Sequence, residues 1–353
     1  MTRTCLVTGG AGFIGCAISS LLVREFDRVV ALDNMHPQIH QTSDRPALLD
    51  SKVELVVGDV TLKETWDALL PTVQPDVVIH LAAETGTGQS LTEGTRHASV
   101  NVVGTTQMLD AFVRHEALPK RIVLTSSRAV YGEGAWQDGA GNVSYPGQRS
   151  RSQLEKGVWD FPGLKCLPFE ATRTEPRPTS IYGATKLTQE MVLSAWALSF
   201  GTEVGLLRLQ NVYGPGQSLS NPYTGIVSLF ARLARAGQTI PLYEDGEIVR
   251  DFVFIDDVAD AVFRIATIET IIPGAIYDVG SGEATTIRQL AALISQIYGA
   301  PTPKVNGAFR NGDVRAASCD ISRTREQLGW QPNWSVERGV KTLCSWIDDS
   351  GVC

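Results

Sequence analysis

Hydrophobic residues follow two patterns along this chain. Short runs of consecutive hydrophobic residues, typical of strands buried on both faces of a sheet, alternate with longer segments in which they recur every three or four positions, as in helices. The runs predict strands at residues 5–7, 29–32, 53–57, 76–83, 121–125, 204–208 and 276–279. The longer segments predict a helix that begins at residue 13 and helices at residues 62–70, 95–115 and 180–200. This alternation predicts an α/β fold built on a doubly wound parallel sheet.

The pattern changes after residue 210, where Pro and Gly recur and the alternation weakens. We therefore predict a sheet domain over residues 1–210 and a smaller α/β lobe mainly over residues 211–353, from which some segments return to the first domain. In the lobe we predict helices near 224–236, 256–267 and 286–298 and strands near 240 and 250–254. Residues 134–178 lack periodicity and are rich in Gly, Pro, Ser and charge, which is typical of a functional or partly mobile insertion.

A glycine-rich turn joins the first predicted strand to the first predicted helix. Gly9, Gly12 and Gly15 are spaced three apart. This spacing permits a tight turn at the first glycine, close approach to a pyrophosphate at the second, and close packing of helix on strand at the third. The helix N-terminus adds unpaired N–H groups and a partial positive charge. The turn therefore predicts a Rossmann-type dinucleotide site.

Asp33 ends the second predicted strand, eighteen residues after Gly15. A carboxylate here accepts hydrogen bonds from the adenosine ribose and repels a 2′-phosphate, so we predict NAD rather than NADP as the cofactor. The alternative is that Asp33 is a solvated loop acid. Because ligands bind at the C-terminal ends of parallel strands, we expect Asp59 beside the adenine. On the same argument the residues that follow the next strand should lie along the pyrophosphate and ribose: Leu81, Ala82 and Ala83.

Composition narrows the possible partners. The 353 residues are 43% hydrophobic, enough for a large core, and carry 31 basic and 38 acidic residues, a net charge of −7 without a basic run. That balance disfavours nucleic acid and membrane surfaces as partners. The six cysteines are scattered without metal-ligand spacing, so we expect buried thiols, no metal and a reducing compartment. With no hydrophobic run near ~20 residues and a first strand close to the N-terminus, we predict a cytoplasmic protein.

Tyr182 and Lys186 lie four residues apart at the start of a predicted helix and therefore on one face of it. A lysine ammonium and a nicotinamide cation nearby would lower the tyrosine pKa from about 10 and favour the phenolate, which makes this the candidate catalytic pair. The alternative is an ordinary exposed helix pair. Ser126 and Ser127 follow the strand at 121–125, and Ser127 could bond the substrate hydroxyl and pass a proton toward Tyr182. Spacing alone leaves the choice between the two serines open.

These residues together resemble the signature of the extended short-chain dehydrogenase/reductase superfamily, in the branch that modifies nucleotide sugars. The resemblance covers nearly the whole chain, with motifs in the family's order. The motifs are TGGAGFIG (8–15), NVVGT (101–105), SSRAVYG (126–132), YGATK (182–186), RLQNVYGPG (208–216), RDFVFIDDVADA (250–261) and GDVRAASCDISRTREQLGWQP (312–332).

The resemblance implies which residues contact each ligand. Further NAD contacts are expected from Phe13, Ile14, Asn34, Val60, Asn101, Ser126, Tyr182 and Lys186. Nucleotide-sugar contacts are expected from Ser127, Arg128, Asn211 at the sugar-proximal phosphate, Arg250 at the diphosphate, and Arg310 with Asp313 at the nucleotide and its ribose. The alternative for Arg250 is a salt bridge to Asp251, Asp256 or Asp257.

Departures from the family pattern favour one reaction. Nucleotide-sugar 4,6-dehydratases have Thr-Asp-Glu where this chain has Ser127-Arg128-Ala129, and related decarboxylases need a glutamate in place of Ala129. Without those carboxylates, elimination lacks an acid/base pair. The resemblance therefore implies an isomerase, an NAD-dependent 4-epimerase. In such enzymes Tyr182 would take the proton of the sugar 4-hydroxyl, the 4-keto sugar would turn over, and hydride would return to its other face.

Three further features bear on the substrate. Residues 37–40 and 86–90, with SSRAVYGEG, are most similar to sequences grouped as dTDP-L-rhamnose 4-epimerases, which make dTDP-6-deoxy-L-talose. Related members carry paired cysteines in the insertion, where this chain keeps only Cys166, so we expect no zinc knuckle. Ala317 stands where UDP-galactose 4-epimerases have a residue that limits sugar size, so a bulkier sugar would be admitted.

Several alternatives stay open at this point. A UDP-glucose or UDP-N-acetylglucosamine 4-epimerase would use the same chemistry on a UDP-hexose. A nucleotide-sugar reductase would need NADPH, against which Asp33 argues. A dinucleotide-sensing regulatory protein would commonly lack the tyrosine. The resemblance also implies a homodimer formed through helices around 105–112 and 187–198, unless their apolar faces are internal.

Overall fold

A computed structural model describes residues 3–40, 42–219 and 225–350 of the chain. The strands, numbered in chain order, are β1 Thr4–Thr8, β2 Arg28–Asp33, β3 Glu54–Val57, β4 Val77–His80, β5 Arg121–Ser127, β6 Trp136–Gln137, β7 Val143–Ser144, β8 Lys165–Cys166, β9 Glu203–Leu209, β10 Asn211–Tyr213, β11 Pro241–Leu242, β12 Val249–Arg250, β13 Phe252–Phe254, β14 Ile276–Val279, β15 Thr285–Thr286, β16 Lys304–Val305 and β17 Ala316–Ala317. The α-helices are α1 Phe13–Glu25, α2 Lys63–Leu69, α3 Gly94–Ala98, α4 Gly104–Arg114, α5 Arg151–Glu155, α6 Ile181–Phe200, α7 Ile226–Arg235, α8 Ile255–Thr267, α9 Ile287–Tyr298, α10 Ser322–Leu328 and α11 Val336–Asp349.

A seven-stranded sheet in the order β14-β9-β5-β4-β1-β2-β3 forms the centre of the fold, and every neighbouring pair is parallel. The doubly wound α/β prediction is confirmed, and the six strands predicted within residues 1–210 lie in this sheet. The strand predicted at 276–279 as part of the smaller lobe instead joins the edge of the central sheet as β14. The chain leaves β1 toward β2 and β3 on one side and returns as β4 on the other side. Strand order therefore reverses between β1 and β4, and a crevice opens at their carboxyl ends, where ligands of such sheets bind.

Helices cover both faces of this sheet because successive strand residues point to opposite sides. In β1, Cys5 and Val7 belong to the hydrophobic cluster that contains Ile18 of α1 and Val258 of α8. Leu6 between them belongs to a second cluster, on the other face, with residues of α2, α4 and α6: Trp66, Phe112 and Leu193. A third cluster joins α7, α9 and α11 in the C-terminal half of the chain.

The helix predicted over 95–115 is not one regular α-helix. Between α3 and α4 the backbone forms a π-helical segment, Ser99–Val103, which contains the fully buried Asn101. Asn101 accepts a hydrogen bond from Glu84 N at 2.8 Å and donates to Thr185 Oγ1 at 2.9 Å. These contacts tie the segment after β4 to helix α6, and a π-turn of this kind is frequent at functional sites.

The strand predicted over 250–254 is wrong as a single element. It is two strands, β12 and β13, which pair in different small sheets and are separated at Asp251. The Asp251 carboxylate is fully buried and accepts hydrogen bonds from Ser281 N, Ser281 Oγ and Gly282 N. On either side of this residue, Arg250 pairs with β15 and β17, and Phe252 pairs with β10.

The insertion predicted over 134–178 has more regular structure than its sequence pattern indicated. It contains helix α5 and the antiparallel sheet β7-β6-β8, with Trp136 and Leu154 buried. The elements have two to five residues each, which is too short for a periodic pattern to be visible.

The cysteines of the described ranges are free thiols. Cys5, Cys319 and Cys344 are buried, and Cys16 and Cys166 are partly exposed. Cys353 and the predicted helix start at Thr224 lie outside the described residues. Within the described ranges, no helix is long and apolar enough to cross a membrane, and no group of three or more potential ligands is arranged to hold a metal ion.

Candidate active site

The glycine turn between β1 and α1 lies against the backbone that follows β4. Gly9 has φ +67°, and a Cβ placed on it would lie 2.7 Å from Ala82 N. A Cβ on Gly15 would overlap the carbonyl of Gly10, so the third glycine lets the helix pack on the turn itself. The turn therefore needs glycine at both positions and leaves the N-terminus of α1 open to a ligand.

A cavity of about 300 Å³ opens beside this turn, at the carboxyl ends of β1, β2 and β4. Most residues expected to contact the cofactor line it: Gly9, Gly12, Phe13, Ile14, Gly15, Asp33, Asn34, Val60, Leu81, Ala82 and Ala83. A glycine cradle, a helix N-terminus and a carboxylate in one crevice fit a dinucleotide.

Asp33 is 8% exposed, so the alternative of a solvated loop acid is wrong. Its Oδ2 accepts a hydrogen bond from Ala11 N at 3.0 Å and its Oδ1 accepts one from Met35 N at 2.9 Å. His40 Nε2 lies 3.5 Å from Oδ1. A carboxylate has about four acceptor positions, so Asp33 can hold the glycine turn and still accept a ribose hydroxyl.

The other residues predicted to contact the cofactor do not line this cavity: Asp59, Asn101, Ser126, Tyr182 and Lys186. The Asp59 carboxylate accepts hydrogen bonds from Thr61 N at 2.8 Å and Thr61 Oγ1 at 2.7 Å, within the turn before α2. Asn101 acts through the backbone of Glu84, which does line the cavity. The motif residue is therefore placed to support the cavity wall.

Tyr182 reaches the end of β5 because helix α6 begins directly over the turn that follows this strand. Ser180 caps the helix, accepting a hydrogen bond from Gly183 N at 3.0 Å. A Cβ on Gly183 would overlap the carbonyl of Ala129, so the glycine allows this close approach. The approach brings the Tyr182 hydroxyl close enough to the Ser127 side chain for Ser127 to lower the Tyr182 pKa.

The choice between the two serines is decided by the alternation of side chains along β5. Ser126 is 4% exposed and donates to the Glu190 carboxylate, which pairs with Arg208 at 2.7 Å. Ser127, the next residue, points to the opposite side, toward Tyr182. Ser126 is therefore a structural residue by its side chain, and Ser127 is the hydroxyl at the candidate centre.

The charges around Tyr182 differ from those expected. Burial raises the pKa of the Tyr182 hydroxyl above 10, whereas the Ser127 hydrogen bond and the Arg128 guanidinium lower it. Burial lowers the pKa of Lys186 from 10.5 to about 7, against the opposing effect of Glu190. Arg128 is therefore a second cation, besides the predicted Lys186, that bears on the ionisation of Tyr182.

Two arginines converge beyond Tyr182. Arg128 donates from Nε to Asn211 Oδ1 at 2.8 Å. Arg250, 5% exposed, pairs with Asp313 at 2.6 Å. Burial and then the neighbouring Arg250 lower the pKa of Arg128 to about 9, which marks two cations close together. An anion between them would relieve this repulsion.

The alternative for Arg250, a salt bridge to Asp251, Asp256 or Asp257, is wrong, because Arg250 pairs with Asp313 instead. Asp251 accepts from the residues after β14, and Asp257 accepts from Asn333 N and Trp334 N at 2.8 and 3.1 Å. Arg310 is exposed, with its guanidinium 5.2 Å from the centre of the Tyr243 ring. Ala317 is fully buried, so the additional room expected there is not open space.

A side-chain clasp that the sequence analysis did not identify joins the two walls of the cavity. The Gln38 and Gln89 amides exchange hydrogen bonds at 3.1 and 3.2 Å. Arg96 donates to Gln38 Oε1 at 3.1 Å and pairs with Glu84 at 2.8 Å. Gln38 belongs to the loop after β2 and Gln89 to the segment after β4, the two sequence segments that had marked the subgroup. Only folding brings them together across the cofactor crevice.

Comparisons with known proteins agree with this site. A model of the NAD dependent epimerase/dehydratase family matches residues 5–152 and 162–280. A curated protein of Burkholderia thailandensis named dTDP-L-rhamnose 4-epimerase is 62% identical over 97% of this chain and 94% of its own length. The structure of Thermotoga maritima UDP-glucose 4-epimerase with UDP-glucose is 28% identical, covers 99% of both chains and has a TM-score of 0.81. That of Thermus thermophilus UDP-glucose 4-epimerase with NAD is 26% identical, covers 99% of this chain and 100% of its own, and has a TM-score of 0.79. NAD is thus the cofactor of this protein.

We expect the clasp to control how long NAD stays bound. Gln38→Ala removes hydrogen bonds to Gln89 and to the Arg96 cation, so NAD should be released about tenfold faster, the equivalent of about 1.4 kcal/mol. The NAD that stays in purified protein during timed dialysis measures this. Gln137→Ala, which loses a 3.0 Å hydrogen bond to Gly141 O in the insertion, is the control and should release NAD at the wild-type rate. Wild-type retention in the Gln38 variant would contradict a role of the clasp.

Proposed function

The chain belongs to the NAD dependent epimerase/dehydratase family, and we propose that it is a nucleotide-sugar 4-epimerase that converts dTDP-L-rhamnose to dTDP-6-deoxy-L-talose. The observation that carries the choice of substrate is the 62% identity to dTDP-L-rhamnose 4-epimerase over nearly the full length of both chains. The charges at the candidate centre support the choice of reaction.

Elimination of water needs a carboxylic acid and a base beside the sugar, as in the 4,6-dehydratases. At the positions where those enzymes have acids, this chain has Arg128, which is bonded to Asn211, and Ala129, which is 9% exposed. A cation and a methyl group cannot protonate a leaving hydroxyl at neutral pH. Oxidation and reduction at one carbon needs only a base for the hydroxyl proton, and Tyr182 with Ser127 supplies one.

In the proposed reaction, Ser127 holds the 4-hydroxyl of the sugar by a hydrogen bond and Tyr182 takes its proton. Bound NAD supplies the hydride acceptor, and in its reduced form the donor, at carbon 4. Arg128 stabilises the Tyr182 phenolate before it takes the proton. Arg250 binds the diphosphate, which stays in place while the 4-keto sugar turns to present its other face. Tyr182 then returns the proton to the new hydroxyl.

An NMR assay with dTDP-L-rhamnose and no added cofactor tests this proposal. We expect a new 4-epimer signal that reaches a constant ratio with the substrate. Tyr182→Phe removes the base, so turnover should fall by about 10³-fold or more while NAD stays bound. The second candidate substrate is a UDP-hexose, because the Thermotoga maritima relative is a UDP-glucose 4-epimerase. The proposed substrate is wrong if only UDP-glucose or UDP-N-acetylglucosamine is converted. Normal turnover of Tyr182→Phe would refute the proposed base.

The pH dependence of turnover tests the role of Arg128. Loss of the guanidinium in Arg128→Met removes a group that lowers the pKa of Tyr182, so that pKa rises further. A smaller fraction of Tyr182 is then phenolate at any given pH, and the acid limb of the kcat profile should move to higher pH by about one unit. Arg128→Lys keeps a cation and should move the limb less. An unmoved limb in both variants would contradict the assignment.

We also propose that the enzyme is a homodimer. Met191 and Leu198 are 66% and 88% exposed and lie seven residues apart on one face of α6. Val113 of α4 is also exposed, at 43%. Hydrophobic side chains exposed in such a row are typical of protein interfaces. Light scattering should give twice the chain mass of 38.2 kDa and, for Leu198→Asp, the single-chain mass. Leu48→Asp, at a site 57% exposed, is the control that should stay dimeric; a monomeric wild type would refute the dimer.

The free thiols, of which Cys5, Cys319 and Cys344 are buried, support a cytoplasmic location, which cell fractionation checks.

A further inference from the structure

The insertion places one arginine in the interior, beneath the segment that carries Asp313. Arg149 is 2% exposed although it belongs to a stretch with little regular structure. Its Nη2 donates to the main-chain oxygen of Asp313 at 2.8 Å. Its Nη1 donates to Trp159 O at 3.0 Å and to Glu244 Oε2 at 2.8 Å. One guanidinium thus joins the insertion to two segments of the C-terminal half.

Glu133, from the segment that follows β5, also contacts Arg149. This residue lies just beyond the turn Arg128–Tyr131 that follows β5, and it is 3% exposed. Its Oε1 accepts from Arg149 Nε at 3.3 Å, and its Oε2 accepts from Arg315 N at 2.9 Å. Arg149 and Glu133 therefore hold the backbone of residues 313 and 315 from two neighbouring points.

Arg315 closes the network from the far side. It pairs with Asp160 of the insertion at 2.8 Å, with Asp245 at 2.7 Å and with Glu244 at 3.1 Å. The network thus contains two arginines, Arg149 and Arg315, and four acidic residues. In each arginine all three guanidinium nitrogens donate hydrogen bonds. Buried ion networks of this kind add little net stability compared with apolar packing, but they fix one geometry.

The network fixes the position of Asp313, which is the partner of Arg250. Arg149 holds the main-chain oxygen of Asp313, and the carboxylate of the same residue accepts a hydrogen bond from Arg250 Nη2 at 2.6 Å. Arg250 is 5% exposed and is also the nearby cation that acts on Arg128. A planar guanidinium binds a diphosphate well only if its orientation is set beforehand.

We propose that Arg149 of the insertion is a positioning residue for nucleotide-sugar binding: it holds the backbone at Asp313 so that the Asp313 carboxylate orients Arg250 toward the diphosphate. This inference rests on the proposed function, in which Arg250 binds the diphosphate. It gives the insertion a role in nucleotide-sugar binding. A lysine cannot replace this arginine in full, because one ammonium cannot reach four separated acceptors in a fixed plane.

The test uses the NAD-loaded protein and compares two buried arginines. Arg149→Met removes the guanidinium under Asp313. Arg121→Met is the matched control: Arg121 is 3% exposed and donates to Glu203 and to main-chain oxygens of Ile265 and Ile268, at the opposite end of β5. Three quantities are measured in each: the Kd of dTDP by calorimetry, KM and kcat with dTDP-L-rhamnose, and the hydrogen exchange of residues 308–316.

For Arg149→Met we expect a Kd for dTDP and a KM about tenfold higher, a kcat within about twofold of wild type, and faster exchange in residues 308–316. Arg121→Met should lower the melting temperature while leaving Kd, KM and that exchange unchanged. If Arg149→Met does not fold, Arg149→Lys should show the same changes at about threefold, with NAD retained.

Three results would overturn the inference. The first is a folded Arg149 variant with wild-type dTDP affinity and wild-type exchange in residues 308–316. The second is an equal loss of dTDP affinity in Arg121→Met, because the effect would then be general destabilisation. The third is a wild-type protein that binds neither dTDP nor UDP; this outcome alone also refutes the proposed function, whereas the first two leave it intact.

Discussion

The close approach of two backbone segments, at the point where strand order reverses, is the contact on which the rest of the site depends. The turn after β1 touches the segment after β4 so closely at Gly9 that a Cβ would lie 2.7 Å from Ala82 N. This contact sets the width of the crevice that holds the cofactor. Asp33 fixes the same turn from the other side through Ala11 N. The clasp of Gln38, Gln89 and Arg96 joins the loop after β2 to the segment after β4, on the two walls of the same crevice.

Two neighbouring arginines, Arg128 and Arg250, determine the charge of the site beyond Tyr182. The chain carries a net charge of −7, so its overall field does not attract an anionic substrate. Arg128 and Arg250 are instead held close together by Asn211 and Asp313, and burial followed by repulsion from Arg250 lowers the pKa of Arg128. A buried pair of like charges is costly unless an anion completes it. An anion bound between the two guanidinium groups would reduce this repulsion.

The sequence supported the central sheet and the NAD crevice because their signals are local. The glycine spacing, the carboxylate at the end of β2 and the four-residue separation of Tyr182 and Lys186 each follow from the geometry of one turn, strand or helix. The choice between Ser126 and Ser127 also follows from the alternation of side chains along β5. It can be made only when the position of α6 is known, because α6 determines which side of β5 faces Tyr182. The π-turn at Asn101 and the break at Asp251 have no local pattern, since both arise from hydrogen bonds to residues 17 and 30 positions away.

By itself, the sequence determined the order of strands and helices, the cofactor turn and the residue types of the catalytic pair. Tertiary structure alone decided which charged groups act on one another. Arg128 is a cation that lowers the pKa of Tyr182, and Arg149 of an apparently irregular insertion donates to the main-chain oxygen of Asp313, 164 residues further along the chain. The physical reason is that periodicity and spacing report interactions within an element, whereas burial and pairing of charges depend on which distant segments the fold encloses together.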